Sequence, residues 1–201
     1  KVLASHLLAD ESAVQRFVRE ARIIASLDSP NIIKLIDVSE RGAATPFIAM
    51  ERLAGEDLGS LLKQQPEWAD DDVAVVMQAI ARGLATAHAA GIVHRDLKPG
   101  NLFAASVDNQ IIWKVLDFGV AKASGSEATM TAGHVVGTPG YMAPEQARGE
   151  PVDLRADVYS LAVIAYRMLT GRPVVVPGDL PAMIHEVVFR MPPAPSKLAN
   201  V

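Results

Sequence analysis

His94-Arg95-Asp96-Leu97-Lys98-Pro99-Gly100-Asn101, Asp117-Phe118-Gly119 and Gly137-Thr138-Pro139-Gly140-Tyr141-Met142-Ala143-Pro144-Glu145 hold the side chains of this sequence best suited to chemistry. In the first stretch Asp96 offers a carboxylate that can orient an attacking hydroxyl, Lys98 an ammonium that can neutralise a phosphate, and Asn101 an amide oxygen that can face a divalent cation. Lys98 follows Asp96 by two residues, so in an extended loop both side chains point the same way. The second stretch adds the carboxylate of Asp117 on a glycine hinge. Hard oxygen donors suit Mg²⁺, which takes few protein ligands and completes its octahedron with water and nucleotide phosphate. Together these groups fit phosphoryl transfer from a nucleotide. Singly they have plainer readings: a turn-capping aspartate, a solvated lysine, a turn with a packed Phe.

Those residues need elements to position them. Ser12 followed three residues later by Gln15 has the form of a capping box, and Val14, Phe17, Val18, Ala21, Ile23 and Ile24 recur at helical spacing up to about Leu27. Asp28-Ser29-Pro30-Asn31 breaks that helix, and strands are predicted over 32–38 and 47–50 around a polar turn at Arg41-Gly42. Leu58, Leu61 and Leu62 begin a short helix. Asp70-Asp71-Asp72 then places acidic residues at the positive end of a longer helix that runs to Ala90 and stops at Gly91. Val73, Val76, Met77, Ile80 and Leu84 form its buried stripe, and His88 reads as a packed, hydrogen-bonded histidine rather than a ligand. Asp108-Asn109 separates two strand-like runs, so a hairpin would bring Asn101 and Asp117 to one edge of a cleft. Further helices are predicted over 157–169, ended by Thr170-Gly171, and over 180–188. A β-rich first part and a helical second part make an α+β fold. Its cleft and hinge are expected near Met50–Gly55.

Composition removes other classes of function. A chain of 201 residues that is 50% hydrophobic and 21% charged can bury a core and is not disordered. A net charge of −4 supplies no basic field for nucleic acid or anionic lipid. With no cysteine, disulfides, thiolate metal sites and Cys nucleophiles are excluded. No apolar run is long enough to span a bilayer and no signal-peptide pattern opens the chain, so a cytoplasmic module is expected, with any anchor lying outside it.

In order and separation, the three stretches resemble the eukaryotic-type protein kinases, and the match extends over nearly the whole chain. Val152–Ser160 and Leu169–Pro173 look most like bacterial members. The resemblance implies a two-lobed fold, with residues 1–53 as remainder of the small lobe plus hinge and 54–201 as the helical lobe. It implies an ATP- and Mg²⁺-dependent Ser/Thr kinase acting on proteins, with Asp96 as the base, Lys98 meeting the transferring phosphate, and Asn101 and Asp117 holding the metal. Lys98 and Thr138 together point to Ser/Thr acceptors. By the same resemblance Lys1 contacts the α/β-phosphates and is held by Glu20, Met50 is the gatekeeper, and Glu51 and Leu53 offer backbone groups to adenine. His94, Phe118, Leu35, Ile24 and Asp157 match a spine joining the lobes. Arg95 matches the arginine that receives a phosphorylated residue, for which Thr129 and Thr131 are the first candidates and Ser124 and Ser126 the next.

The sequence also departs from the family pattern. The glycine-rich strand-turn-strand expected ahead of Lys1 is not in this chain, and neither is a late arginine partner for Glu145. A partial domain, weak as a catalyst by itself, is therefore expected rather than a pseudokinase that only binds or scaffolds. A small-molecule phosphotransferase of related fold would lack the Ala143-Pro144-Glu145 motif.

Overall fold

The computed structural model describes residues 2, 11–40, 43, 46–118 and 139–198. Helix α1 (Glu11–Ala25) buries Phe17, Val18, Ala21 and Ile24 and packs on strand β1 (Leu35–Val38). The expected capping box rests on the side chain of Ser12, which lies outside the described residues. The helix begins one residue before Ser12, and Gln15 Nε2 donates to Glu11 Oε1 at 3.3 Å. β1 pairs antiparallel with β2 (Ile48–Met50), with a bulge between Leu35 and Asp37.

The strand expected over 32–38 is shorter because its first residues bond elsewhere. Val115 N–H donates to Asn31 O (2.8 Å), Ile33 N–H to Val115 O (3.0 Å), and Asn31 Nδ2 to Trp113 O (2.8 Å). Residues 31–33 therefore run beside the last strand of a second sheet, to which Ile32 adds a parallel bridge.

That sheet has the order β3 (Gly55–Asp57), β4 (Leu102–Val107), β5 (Gln110–Val115), all antiparallel. The β4–β5 hairpin turns on Asp108 and Asn109, both at positive φ (47° and 62°), the backbone that matches the twist of a two-residue hairpin. The hairpin expectation thus holds, and Leu102 faces Val115, which sets Asn101 close to the residues that follow β5.

Helix α2 (Leu58–Gln64) follows β3 and is capped by Asp57, whose carboxylate accepts from Ser60 N. α3 (Asp70–Ala89) buries Val73, Val76, Ile80 and Leu84, and α5 (Arg155–Thr170) ends at left-handed Gly171. One core joins these elements to α1 and both sheets, including Phe17, Ile32, Leu58, Ile80, Leu102 and Ile164. A smaller core of Met142, Ala147, Val175 and Val187 ties α4 (Pro144–Arg148) to α6 (Leu180–Phe189). The architecture is α+β, as expected. Among the described residues no helix is long and apolar enough to cross a membrane.

Gly83 lets α3 lie against the 31–33 crossing, for a Cβ there would sit 2.7 Å from Asn31 O. Alanine would raise helix propensity by ~1 kcal/mol. The overlap with a backbone oxygen outweighs that gain, so Gly83→Ala should destabilise the fold by ~1–2 kcal/mol net. Urea unfolding should show a lower midpoint at unchanged slope; a variant as stable as the parent would mean that the crossing shifts freely.

Candidate active site

Residues 92–98 belong to no helix or strand, so side chains must hold their shape. Asp157, near the start of α5 and 1% exposed, provides the anchor. Its Oδ2 accepts from His94 N (2.8 Å) and from His88 Nε2 (2.7 Å), and its Oδ1 accepts from Arg95 N (2.9 Å). Bonds to an ionised, buried acceptor are the strong ones. Arg95 sits at φ 63°, a left-handed conformation that costs a non-glycine residue energy and persists when its surroundings impose it. Here the N–H is tied to Asp157 while the carbonyl accepts from Gln146 Nε2 (2.9 Å). Gln146 Oε1 in turn accepts from Ala143 N at 3.0 Å, so α4 and α5 grip the loop from two sides.

His94 is fully buried, and one neutral tautomer satisfies both of its nitrogens: Nε2–H donates to Leu116 O (2.9 Å) while Nδ1 accepts from Asp96 N (3.3 Å). Burial lowers its pKa below the usual 6.5, against the opposing pull of the Leu116 carbonyl and of Asp157, Asp96 and Asp117. The ring lies on Phe118, centroids 4.9 Å apart at 49°. Of the five expected spine residues, His94 and Phe118 stack, Ile24 is buried in the main core and Leu35 packs against that core. Asp157 contributes hydrogen bonds rather than apolar contact.

The geometry brings Asp96, Lys98 and Asn101 together. Lys98 is extended (φ −157°, ψ 163°) and its Nζ lies 3.1 Å from Asp96 Oδ2. Asn101 ends the turn Pro99–Asn101, and its Nδ2 donates to Asp96 O at 2.9 Å. The amide nitrogen is thus committed to the loop backbone, which leaves Oδ1 as the atom of this side chain suited to a cation. Leu116 N–H donates to Asn101 O (2.8 Å), and Asp117 follows at once, exposed and at φ 47°. Two hard oxygens at neighbouring strand ends match the sparse protein donor set that Mg²⁺ takes.

At the expected hinge, Met50 ends β2, half-buried against the main core. Glu51 N–H is spent on Lys34 O (3.0 Å), while its Oε1 accepts from Lys34 N and from Lys114 Nζ, each at 2.8 Å. Burial would raise this carboxyl, but the bond from Lys114 and the Lys34 amide outweigh it and hold the group below its usual range. Lys114 is itself only 7% exposed, so the pair clamps β5 to the residue that follows β2. Sequence reasoning assigned Glu51 by its backbone alone and missed Lys114, whose partner lies 63 residues away. Leu53 is half-buried, and Glu20 lies half-buried on α1. Lys1, Gly119, Ser124, Ser126, Thr129, Thr131 and Thr138 lie outside the described residues.

The family model described as "Protein kinase domain" matches residues 1–192. The chain is 43% identical over 176 residues to the serine/threonine-protein kinase pkn3 of Myxococcus xanthus, covering 85% of this chain and 32% of that protein. It is 39% identical to the probable serine/threonine-protein kinase PknB of Bifidobacterium longum, covering 98% and 29%. With the serine/threonine-protein kinase PkaA of Streptomyces coelicolor the identity is 34%, covering 100% and 37%. The chain thus spans about a third of the length of the curated relatives it matches.

His94 gives the site a pH signature. Its folded pKa lies below its unfolded value, so under pH 6.5 the unfolded chain takes a proton that the folded chain refuses. Stability should therefore be fully present above pH 6.5 and decline as pH falls, with this residue contributing a slope of up to ~1.4 kcal/mol per pH unit. His94→Gln should flatten the fall measured by urea unfolding between pH 6.5 and 5; an unchanged slope would mean that His94 ionises in place.

Proposed function

The chain belongs to the protein kinase family, and from that premise we propose that it transfers the γ-phosphate of ATP to Ser or Thr hydroxyls of protein substrates. The observation that carries the proposal is the cluster of Asp96, Lys98 and Asn101, joined by the 3.1 Å contact of Lys98 with Asp96 and the 2.9 Å bond from Asn101 to the Asp96 carbonyl. Residues 1–53 are read as small lobe and hinge and 54–201 as the helical lobe, with ATP between them and a cytoplasmic setting.

In this reading a substrate hydroxyl approaches Asp96, which orients it and accepts its proton as the oxygen attacks the γ-phosphorus. The bond from that phosphorus to the β,γ-bridging oxygen breaks and ADP leaves. The transition state is loose, so the placement of the carboxylate oxygen matters more than its basicity. That placement is what Asp157, His94 and Gln146 supply through the backbone. Lys98 stabilises charge on the transferring phosphoryl group. Asn101 and Asp117 would hold Mg²⁺, which when bound neutralises charge on the β- and γ-phosphates. Glu20 orients Lys1 toward the α/β-phosphates. Met50 backs the adenine, which the Glu51 carbonyl and the Leu53 backbone receive; the Glu51 N–H, already bonded to Lys34, takes no part. Thr138 joins Lys98 in favouring Ser/Thr acceptors.

Arg95 suits a regulatory role. Its backbone is fixed at both ends while the residue is exposed, and among the described residues its guanidinium has no ion-pair partner. A phosphate on Thr129 or Thr131 would offer that guanidinium a bidentate acceptor.

Two experiments on the full-length protein test these assignments. Asp96→Asn and Asp117→Ala should each abolish transfer, but Mg²⁺-dependent ATP binding should fall only in Asp117→Ala; equal loss in both would refute the division of roles. Phosphate is expected on Thr129 or Thr131 by mass spectrometry, with activity rising with occupancy. Replacing both with Ala should lower turnover, and Arg95→Ala should remove the benefit while leaving the phosphate in place. A double Ala variant with full activity would move the switch to Ser124 or Ser126.

A further inference from the structure

A cavity of about 420 Å³ opens directly beside the catalytic loop, between α2, the Pro99–Asn101 turn, the turn at 139–141 and the loop that precedes α6. Its wall is largely apolar, with Leu62, Val175 and Met183 among the residues that form it, and among the described residues every charged side chain lining it is a cation: Lys63, Lys98 and Arg167. Lys98 also touches Asp96, so the cavity adjoins the carboxylate assigned to the acceptor hydroxyl.

Lys98 is paired with Asp96, but the other two charges in this cavity are uncompensated among the described residues. Among the described residues neither Lys63 nor Arg167 has an ion-pair partner, and Arg167 is half-buried on α5. Carboxylates on the flanking elements are committed elsewhere: Asp57 caps α2 through Ser60, Asp179 caps α6 through Ala182, and Glu186 bonds Val176 N and Arg190. Keeping a guanidinium partly desolvated without a counter-ion costs stability, and a fold that keeps one beside its reacting groups is complementary to an anion from outside.

We propose that this cavity is a peptide subsite that selects substrates carrying an Asp or Glu close to the acceptor Ser or Thr. The inference rests on the phosphotransfer reading above and names the substrate class of that site. An extended peptide advances ~3.3 Å per residue, so side chains one to a few residues from the acceptor reach the cavity. A carboxylate entering it meets the planar fork of Arg167, which favours two-point binding of carboxylate, while its methylene stem covers the apolar wall. A lysine at the same position would face the unpaired charges of Lys63 and Arg167.

The test uses the full-length protein with ATP and Mg²⁺, and Ser-centred peptides carrying Glu, Gln or Lys at one flanking position at a time. At one position at least, Glu should exceed Lys by roughly tenfold in kcat/KM, mostly through KM. Arg167→Glu should erase or invert that preference with ATP hydrolysis unchanged, and Lys63→Glu, on the exposed face of α2, should weaken it even if the Arg167 variant fails to fold. Equal rates for the three peptides, a preference that survives both variants, or a strict requirement for phosphoserine in place of Glu would overturn the subsite while leaving phosphotransfer intact. Absence of ADP formation and of any phosphorylated product would overturn the phosphotransfer reading, and this inference with it.

Discussion

A single buried carboxylate holds the site in shape. Asp157 accepts three hydrogen bonds, two of them from consecutive backbone amides of a loop that has no regular structure of its own. The desolvation cost of such a group is recovered only when its oxygens are fully partnered, and here the partners are the loop backbone and His88. The consequence passes along the chain. Arg95 is forced into the left-handed region, and the turn it makes is followed by Asp96, whose N–H finds His94 Nδ1 and whose carbonyl receives Asn101. Strain at one residue is thereby exchanged for fixed positions at three others.

The second constraint is the crossing at residues 31–33. Backbone bonds from Val115 N–H to Asn31 O and from Ile33 N–H to Val115 O, with the Asn31 side chain on Trp113, attach the segment after α1 to the hairpin strand that leads into Asp117. The pair between Lys114 and Glu51, which is itself bonded to Lys34 at the end of the crossing, fastens the same strand to the hinge. β5 is therefore held at two successive residues, Lys114 and Val115, shortly before the carboxylate assigned to the metal. The strand behind Asp117, which is exposed and at positive φ, thus fixes where its backbone begins.

What was legible in the sequence is what short-range physics controls. The Asp108-Asn109 turn, the helical stripe of α3, the stop at Gly171 and the shared direction of Asp96 and Lys98 all follow from spacing within a few residues. His88 was read as a packed histidine, and it is one, yet its partner lies 69 residues away and no periodicity points to it. The same distance problem hid the roles of Asn31, Lys114 and Gln146, each of which acts on a segment remote in sequence.

These connections also join the catalytic loop to the proposed substrate surface. Gln146 links the Arg95 carbonyl to the start of α4, and Ser160 Oγ, one helical turn beyond Asp157, donates to Tyr141 O at 2.7 Å. The turn at 139–141, which forms part of the cavity wall, is thus held by the same helix whose carboxylate shapes the loop carrying Asp96. Displacement of that turn would strain a bond to α5 before it reached the reacting groups, so α5 acts as a common reference for both surfaces. In the proposed subsite, a substrate segment seated against Tyr141 and Arg167 would be located relative to Asp96 by one rigid element, an orientation set without contact at the reacting atoms.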